Sequence, residues 1–218
     1  MLVMANDNAS NFQQQNFWKG EFGEKYRDRC NTIEYQNSSY KERTGFTEEE
    51  VFIKMFEGID KKTRILEVGC NIGLKLSILE KMGFTNLFGL EINKNTFEIA
   101  KNLHPKIKFF NSSIEEFETD EKFDFVYTAT VLVHINPSIM DLIMSKMINL
   151  TTTYIGGLEC FSENITEVKY RNNSNRLWKQ NFPKSFMKNS SELKSVYENK
   201  IRYYKNNLVD MVYVLKKK

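Results

Sequence analysis

The sequence predicts an α/β fold, a mostly parallel sheet with helices on both faces, closed by an antiparallel hairpin. Three observations carry this expectation. Arg64-Ile65-Leu66-Glu67-Val68 is a short apolar run that passes through Gly69-Cys70-Asn71-Ile72-Gly73 into Leu74-Lys75-Leu76-Ser77-Ile78-Leu79-Glu80, which has helical spacing. Strand-like and helix-like runs then alternate to Phe161. Last, Val196 to Tyr204 and Val209 to Leu215 alternate on either side of Asn206-Asn207, the pattern of a hairpin.

Taken in order, residues 1–16 read as a disordered polar tail, with order expected from Phe17-Trp18. Residues 17–60 read as an N-terminal helical lid or cap. Within it, Trp18 to Arg29 mixes aromatics, glycines and charges. That stretch is either a short helix packed on the core or a lid in which Tyr26 and Arg29 bind a carboxylate of a cofactor or substrate. Thr47 with Glu50 forms a capping box ahead of Val51-Phe52-Ile53, so a helix is expected to about Gly58. The main domain spans 61–218. Its further strands are expected at 86–91, 107–110, 123–128 and 153–161, and its helices at 96–103 and 139–147. His104, just before Pro105, reads as an exposed loop residue. A long polar stretch at about 162–192 reads as an insertion that shapes a substrate pocket.

A strand, a glycine turn and a helix make a unit that cradles nucleotides. Gly69 and Gly73 can take positive φ and let a ligand lie against the backbone, and the helix start offers unpaired N–H groups. Glu91, at the end of the second strand, is placed to take the two hydroxyls of a ribose. The dinucleotide fingerprint is not met: Asn71 holds the middle glycine position, although Asn enters left-handed backbone more easily than most residues. Glu67 inside the strand would repel phosphate and attract the cationic amine and sulfonium of S-adenosylmethionine (SAM). Cys70 either packs as a small side chain or approaches the ligand. Asn111-Ser112-Ser113-Ile114 is either a plain capped turn or the adenine contact, through Ser113 and Ile114. His134, just beyond the fourth strand, is either structural or a proton acceptor at the ligand-binding end of the sheet.

Composition narrows the partners. The 218 residues suit one domain with a sizeable core or one domain plus a small appendage, and 31 basic against 28 acidic side chains leave a net charge of +3, too weak a bias to predict nucleic-acid binding. The opening Met1-Leu2-Val3-Met4 is too short for a signal peptide, and no run approaches membrane-span length, so a cytoplasmic protein without a membrane partner is expected. Cys30, Cys70 and Cys160 are odd in number and widely spaced, which points to neither a disulfide framework nor a metal site.

The alternation of elements resembles the class I SAM-dependent methyltransferase fold, a Rossmann-like, mostly parallel seven-stranded sheet. More narrowly, four stretches resemble the pseudaminic acid biosynthesis-associated methylases. They are Trp18-Lys19-Gly20-Glu21-Phe22-Gly23 with Tyr26 and Arg29; Leu66 to Leu74 with Gly89-Leu90-Glu91-Ile92-Asn93; Val131 to Pro137; and Glu167 to Arg171 with Leu177-Trp178-Lys179. The resemblance implies methyl transfer from SAM, leaving S-adenosylhomocysteine, to an oxygen or nitrogen of a nonulosonic-acid sugar or its nucleotide conjugate. It implies cofactor contacts at Tyr26, Arg29, Glu67, Gly69, Cys70 and Asn71, and further ones at Gly73, Glu91, Ile92, Ser113, Ile114 and Thr128. His134, Tyr26 and Arg171 are the expected catalytic residues, and Trp18, His134, Tyr170 and Arg171 the substrate contacts. The chain departs from the family on the substrate side: Ala129-Thr130 stands where Lys-Gly is expected, Cys160-Phe161 where two tyrosines are, and Gln180-Asn181 where Arg-Asp is, and a different small acceptor would fit these changes. A nucleic-acid methyltransferase is disfavoured, because the segment after the fourth strand lacks the Asn/Asp-Pro-Pro-aromatic arrangement. A cofactor-binding protein without catalysis is the other alternative.

Overall fold

The computed structural model describes residues 12–29 and 31–218. Its centre is strand β1, Arg64–Val68, which pairs in parallel with β2, Asn86–Glu91, on one side and β4, Phe123–Ala129, on the other. Strands β3, Lys108–Asn111, and β5, Thr151–Cys160, extend the parallel set. The C-terminal hairpin of β8, Leu193–Arg202, and β9, Val209–Lys217, completes a seven-stranded sheet in the order β3-β2-β1-β4-β5-β9-β8, with β9 antiparallel to both neighbours. Successive side chains of a strand point to opposite faces, so β1 feeds two cores. Leu66 and Val68 pack with Val126 and Phe123 under helix α7, Met140–Leu150, while Ile65 packs with Phe125 and Tyr127 on the opposite face. Helices α3 (Ile33–Thr44), α4 (Glu48–Met55), α5 (Leu74–Lys81) and α6 (Lys94–Leu103) contribute to that second core.

The local signals that start these helices are visible in the hydrogen bonds. The capping box at α4 forms as read: the Glu50 N–H donates to Thr47 Oγ1 at 3.0 Å and the Thr47 N–H donates to Glu50 Oε2 at 2.7 Å. The helix ends at Met55, short of Gly58. Asn93 caps α6, its Oδ1 accepting the Thr96 N–H at 3.0 Å, which moves that helix start two residues ahead of the expected Thr96.

Two expectations are corrected, for the tail and for His104. The polar tail does not run to residue 16: residues 12–19 form helix α1, and Gln14 is buried against a partner more than a hundred residues away. The expectation for residues 1–11 lies outside the described residues. Helix α2, Glu21–Arg29, and α3 occupy the lid segment, and α3 is bounded by Thr32, whose hydroxyl accepts the Tyr35 N–H, and by left-handed Gly45. The insertion is ordered, with a two-stranded ribbon of β6 (Thr166–Glu167) and β7 (Trp178–Lys179) and helix α8, Phe182–Asn189, which buries Phe182 and Phe186. His104 is half-buried instead of exposed: its ring lies 6.5 Å from that of Phe109 and burial pulls its pKa down. Among the described residues, no helix is long and apolar enough to cross a membrane.

Candidate active site

A cavity opens at the carboxyl ends of β1, β2 and β4, the ligand-binding end of an open α/β sheet. The glycine turn forms its floor. Gly69 takes φ +72°, and its N–H and that of Cys70 donate to the Leu90 carbonyl at 2.8 and 3.0 Å, tying the turn to the end of β2. A Cβ on Gly69 would lie 2.6 Å from Val131 Cγ2, so the glycine serves both backbone and space. Gly69→Ala is expected to cost about 1–2 kcal/mol through the left-handed backbone alone, with the Val131 clash added, and urea unfolding would measure it. Asn71 takes φ +52°, the conformation expected of an Asn in the middle glycine position.

The two carboxylates sit differently. Glu91 is held by backbone donors: its Oε2 accepts the Asn71 N–H at 2.9 Å and its Oε1 the Asn93 N–H at 2.8 Å. Burial raises its pKa, and those N–H groups oppose the rise. Glu67 is buried at 2% exposure, and its Oε2 has no hydrogen-bond partner among the described residues. Desolvation lifts its pKa to about 8, against the opposing pull of the Lys75 ammonium and the Tyr127 hydroxyl. Lys75, which the sequence does not single out, also lines the cavity; its ammonium pairs with Glu48 of α4 at 3.0 Å and donates to Gln36 of α3 at 2.6 Å. Burial pulls the ammonium down, but Glu48, Tyr26 and Glu67 outweigh it and its pKa stands above the ordinary lysine value.

The N-terminal helices form the roof. Asn93 Nδ2 donates to the Lys19 and Trp18 carbonyls at 2.9 and 3.3 Å, which pins the junction of α1 and α2 to the end of β2. Trp18 stands edge-on to Tyr26 at 5.6 Å and 4.7 Å from the His134 ring, and its buried Nε1 has no hydrogen-bond partner among the described residues. Arg29 lies beside the aromatics, 5.8 Å from the Tyr26 ring, with buried Nε and Nη2 atoms that are also unpartnered among the described residues.

His134 ends a 3₁₀ turn, Leu132–His134, that follows β4. It is buried, and its Nδ1 lies 2.7 Å from the Arg176 carbonyl. That carbonyl can only accept, so Nδ1 carries the proton and Nε2 keeps its lone pair. Burial lowers the His134 pKa to about 4, outweighing the Arg176 carbonyl, so the ring is neutral at pH 7. Gln14 donates to the His134 carbonyl and accepts from Arg176 Nη1 at 3.0 Å, linking α1, the turn and the insertion. Gln14 escaped the sequence reading, for it carries no local signal, and Arg176 was legible only as part of the polar stretch read as shaping a pocket.

The cavity wall thus gathers Trp18, Tyr26, Glu67, Gly69, Cys70 and Asn71, together with Glu91, Ile92, Ser113, Ile114 and His134. The remaining expected site residues do not line it. Thr128 is fully buried on the far face of β4, beside the Glu159 carboxylate. Gly73 takes φ +80° as the N-cap of α5 and faces His104 and Phe109. Arg29 and Tyr170 stand one layer behind, Tyr170 with its ring 4.9 Å from that of His134. Arg171 is exposed outside the cavity, its guanidinium 6.0 Å from the Tyr170 ring. Among the described residues, no group of three or more His, Cys, Asp or Glu could hold a metal ion. Cys70 and Cys160 are free thiols, and Cys30 lies outside the described residues.

Thr130, in the wall, takes φ +55° although it is β-branched, at the position where the family resemblance expects glycine. Thr130→Gly is expected to raise the stability by about 1 kcal/mol, the relief of a left-handed non-glycine residue less the extra freedom of the unfolded chain; thermal unfolding checks it.

Strand order, the glycine turn after β1 and the acid closing β2 define a Rossmann-like methyltransferase fold. Residues 65–153 match a family model described as a methyltransferase domain. The ubiquinone biosynthesis O-methyltransferase of Rickettsia typhi is 33% identical over 125 residues, 55% of this chain and 46% of that protein. The mitochondrial ubiquinone biosynthesis O-methyltransferase of Dictyostelium discoideum is 29% identical over 100 residues, 38% of this chain and 31% of that protein. The matched chain thus spans less than half the length of these relatives. Among solved structures, the magnesium protoporphyrin IX methyltransferase of Synechocystis PCC 6803, solved with bound SAM, shares the fold at a TM-score of 0.68 over 96% of this chain and 97% of that chain, with 10% identity.

Proposed function

We propose that this chain is a SAM-dependent methyltransferase acting on an oxygen or nitrogen of a small molecule. The observation that carries the reading is Glu67, a buried carboxylate with an unpartnered oxygen, in the wall of the cavity that holds the glycine turn and Glu91. An orphaned acceptor of that kind costs stability unless a ligand donor meets it. The amine of the cofactor is such a donor, and its positive charge favours the ionised form of Glu67. Glu91, fixed by the two backbone N–H groups, presents its remaining acceptor capacity to the ribose hydroxyls. The unpartnered guanidinium atoms of Arg29, next to Tyr26, suit the carboxylate at the cofactor's amino-acid end.

When bound, SAM supplies a methyl group on a sulfonium that leaves as a neutral thioether. The chain's own residues then align the acceptor and take its proton. Alignment is the larger contribution, roughly 7–11 kcal/mol in favourable intramolecular models, and a general base adds about 10² to 10⁴ in rate. His134, neutral and with Nε2 free to accept, is the proposed base; Trp18 beside it, and Tyr170 behind it, confine the acceptor. Arg171, at the rim, is proposed only as a contact to a larger substrate.

For the acceptor, the four resembling stretches support a nonulosonic-acid sugar or its nucleotide conjugate. A hydroxylated aromatic ring is the second reading, favoured by the names of the Rickettsia and Dictyostelium relatives and by the Trp18-His134 pair. Incubation with methyl-labelled SAM and either a nonulosonic-acid nucleotide pool or a catechol separates them by which product carries label. Label in RNA or DNA instead, or cofactor binding without label in any acceptor, would move the assignment to one of the two alternatives weighed above.

A further inference from the structure

We propose that Glu159 is the positioning residue for His134, holding the turn that carries the histidine by its backbone N–H groups. This rests on the reading of His134 as the acting base. Glu159 lies near the end of β5 and is fully buried. Its Oε1 accepts the N–H groups of Val131 and Leu132 at 3.0 and 3.1 Å, and its Oε2 that of Val133 at 3.3 Å. These are the successive donors at the start of the Leu132–His134 turn, which has no side-chain cap of its own. The His134 N–H closes the turn onto the Val131 carbonyl at 2.9 Å, so the residues that Glu159 grips are those that set where the imidazole projects.

Only the ionised carboxylate meets all three donors as pure acceptors, because protonation turns one oxygen into a donor and removes an acceptor site. The groups facing it are Thr128 from β4, Tyr213 from β9 and Cys160 beside it on β5; burial with the Glu159 charge keeps the phenol neutral, and burial with the charges of Asp210 of β9 and Glu159 keeps the thiol neutral. Against the turn's donors, desolvation raises the Glu159 pKa to about 7. The grip therefore weakens as pH falls below neutrality. The consequence is a pH dependence near 7 that belongs to Glu159 and not to His134, which stays neutral there.

The chain has two histidines, so ¹⁵N-histidine labelling resolves His134 by comparison with His134→Ala. In the full chain at pH 8, His134 is expected as the Nδ1–H tautomer. In Glu159→Gln it is expected to lose that tautomer and to titrate closer to an ordinary histidine, with S-adenosylhomocysteine affinity kept within about threefold. A folded Glu159→Gln whose His134 signals match the wild type would overturn the proposal. Should the variant not fold, the wild type decides: the amide signals of Val131, Leu132 and Val133 are expected to shift together with one midpoint near pH 7. Three independent or flat titrations would overturn the proposal equally. Neither readout needs an acceptor, whereas absence of S-adenosylhomocysteine binding by the wild type would count against the methyltransferase reading alone.

Discussion

Glu67→Gln is expected to weaken binding of S-adenosylhomocysteine by roughly 10- to 100-fold, the loss of one charge-assisted hydrogen bond of about 1.5–3 kcal/mol at a buried site. The fold should survive, since the amide is isosteric with the buried acid, which burial keeps protonated below about pH 8. The pH dependence is the sharper signature. Burial holds the Glu67 pKa at about 8 in the unliganded protein, so at pH 6 the carboxyl is protonated and must shed its proton to meet a cationic amine. Affinity should therefore rise from pH 6 toward pH 8 with proton release, and calorimetry in buffers of different ionisation enthalpy would read both. Glu67→Gln should lose this slope. The linked effect on the free protein has the opposite sign. A folded pKa above the unfolded one contributes stability that is complete below the unfolded value and is lost as pH rises through about 8, so the unliganded chain should become less stable on this account between pH 5 and 8, and the ligand should restore it.

His134→Ala is expected to lower turnover by about 10², the lower end of general-base contributions, with cofactor affinity nearly unchanged. The lower end follows from burial: an imidazole held at about pKa 4 is fully available at neutral pH but a weak base. Labelled-methyl transfer would measure turnover, and titration with S-adenosylhomocysteine the affinity. An equal loss in both would place His134 among the cofactor's supports. Between pH 6 and 8 the rate profile should carry no limb from His134 itself.

What the sequence disclosed and what it hid divide along a physical line. β1, the glycine turn, α5 and Glu91 were legible because each rests on local pattern: a buried run, glycines that free the backbone, and an acid at a strand's end. The hairpin was legible through alternation. Helix α3 was not, since Ile33-Glu34-Tyr35-Gln36-Asn37-Ser38-Ser39 has little amphipathic contrast and is defined by its caps, Thr32 and Gly45. Helix α8 carried a signal that could have been read, Asn181 followed by Pro183 in the first turn. Thr128 was misassigned through strand geometry: one position along β4 turns a side chain to the opposite face, and Thr128 points toward Glu159 instead of the cavity. Gln14, Lys75, Arg176 and Glu159 take their roles from partners distant in sequence, Lys75 from Glu48 of α4 and Gln36 of α3 and Glu159 from the segment after β4. No window along the chain brings such pairs together.

The central claim is that Glu67 meets a positively charged group of an adenosyl ligand whose ribose lies on Glu91. A crystal structure of the chain grown with S-adenosylhomocysteine tests it most directly. The account predicts the ligand amine within hydrogen-bond distance of the Glu67 carboxylate and the ribose hydroxyls on Glu91. An adenosyl ligand whose amine lies away from Glu67, or a cavity that stays without ligand at saturating concentration, would contradict it.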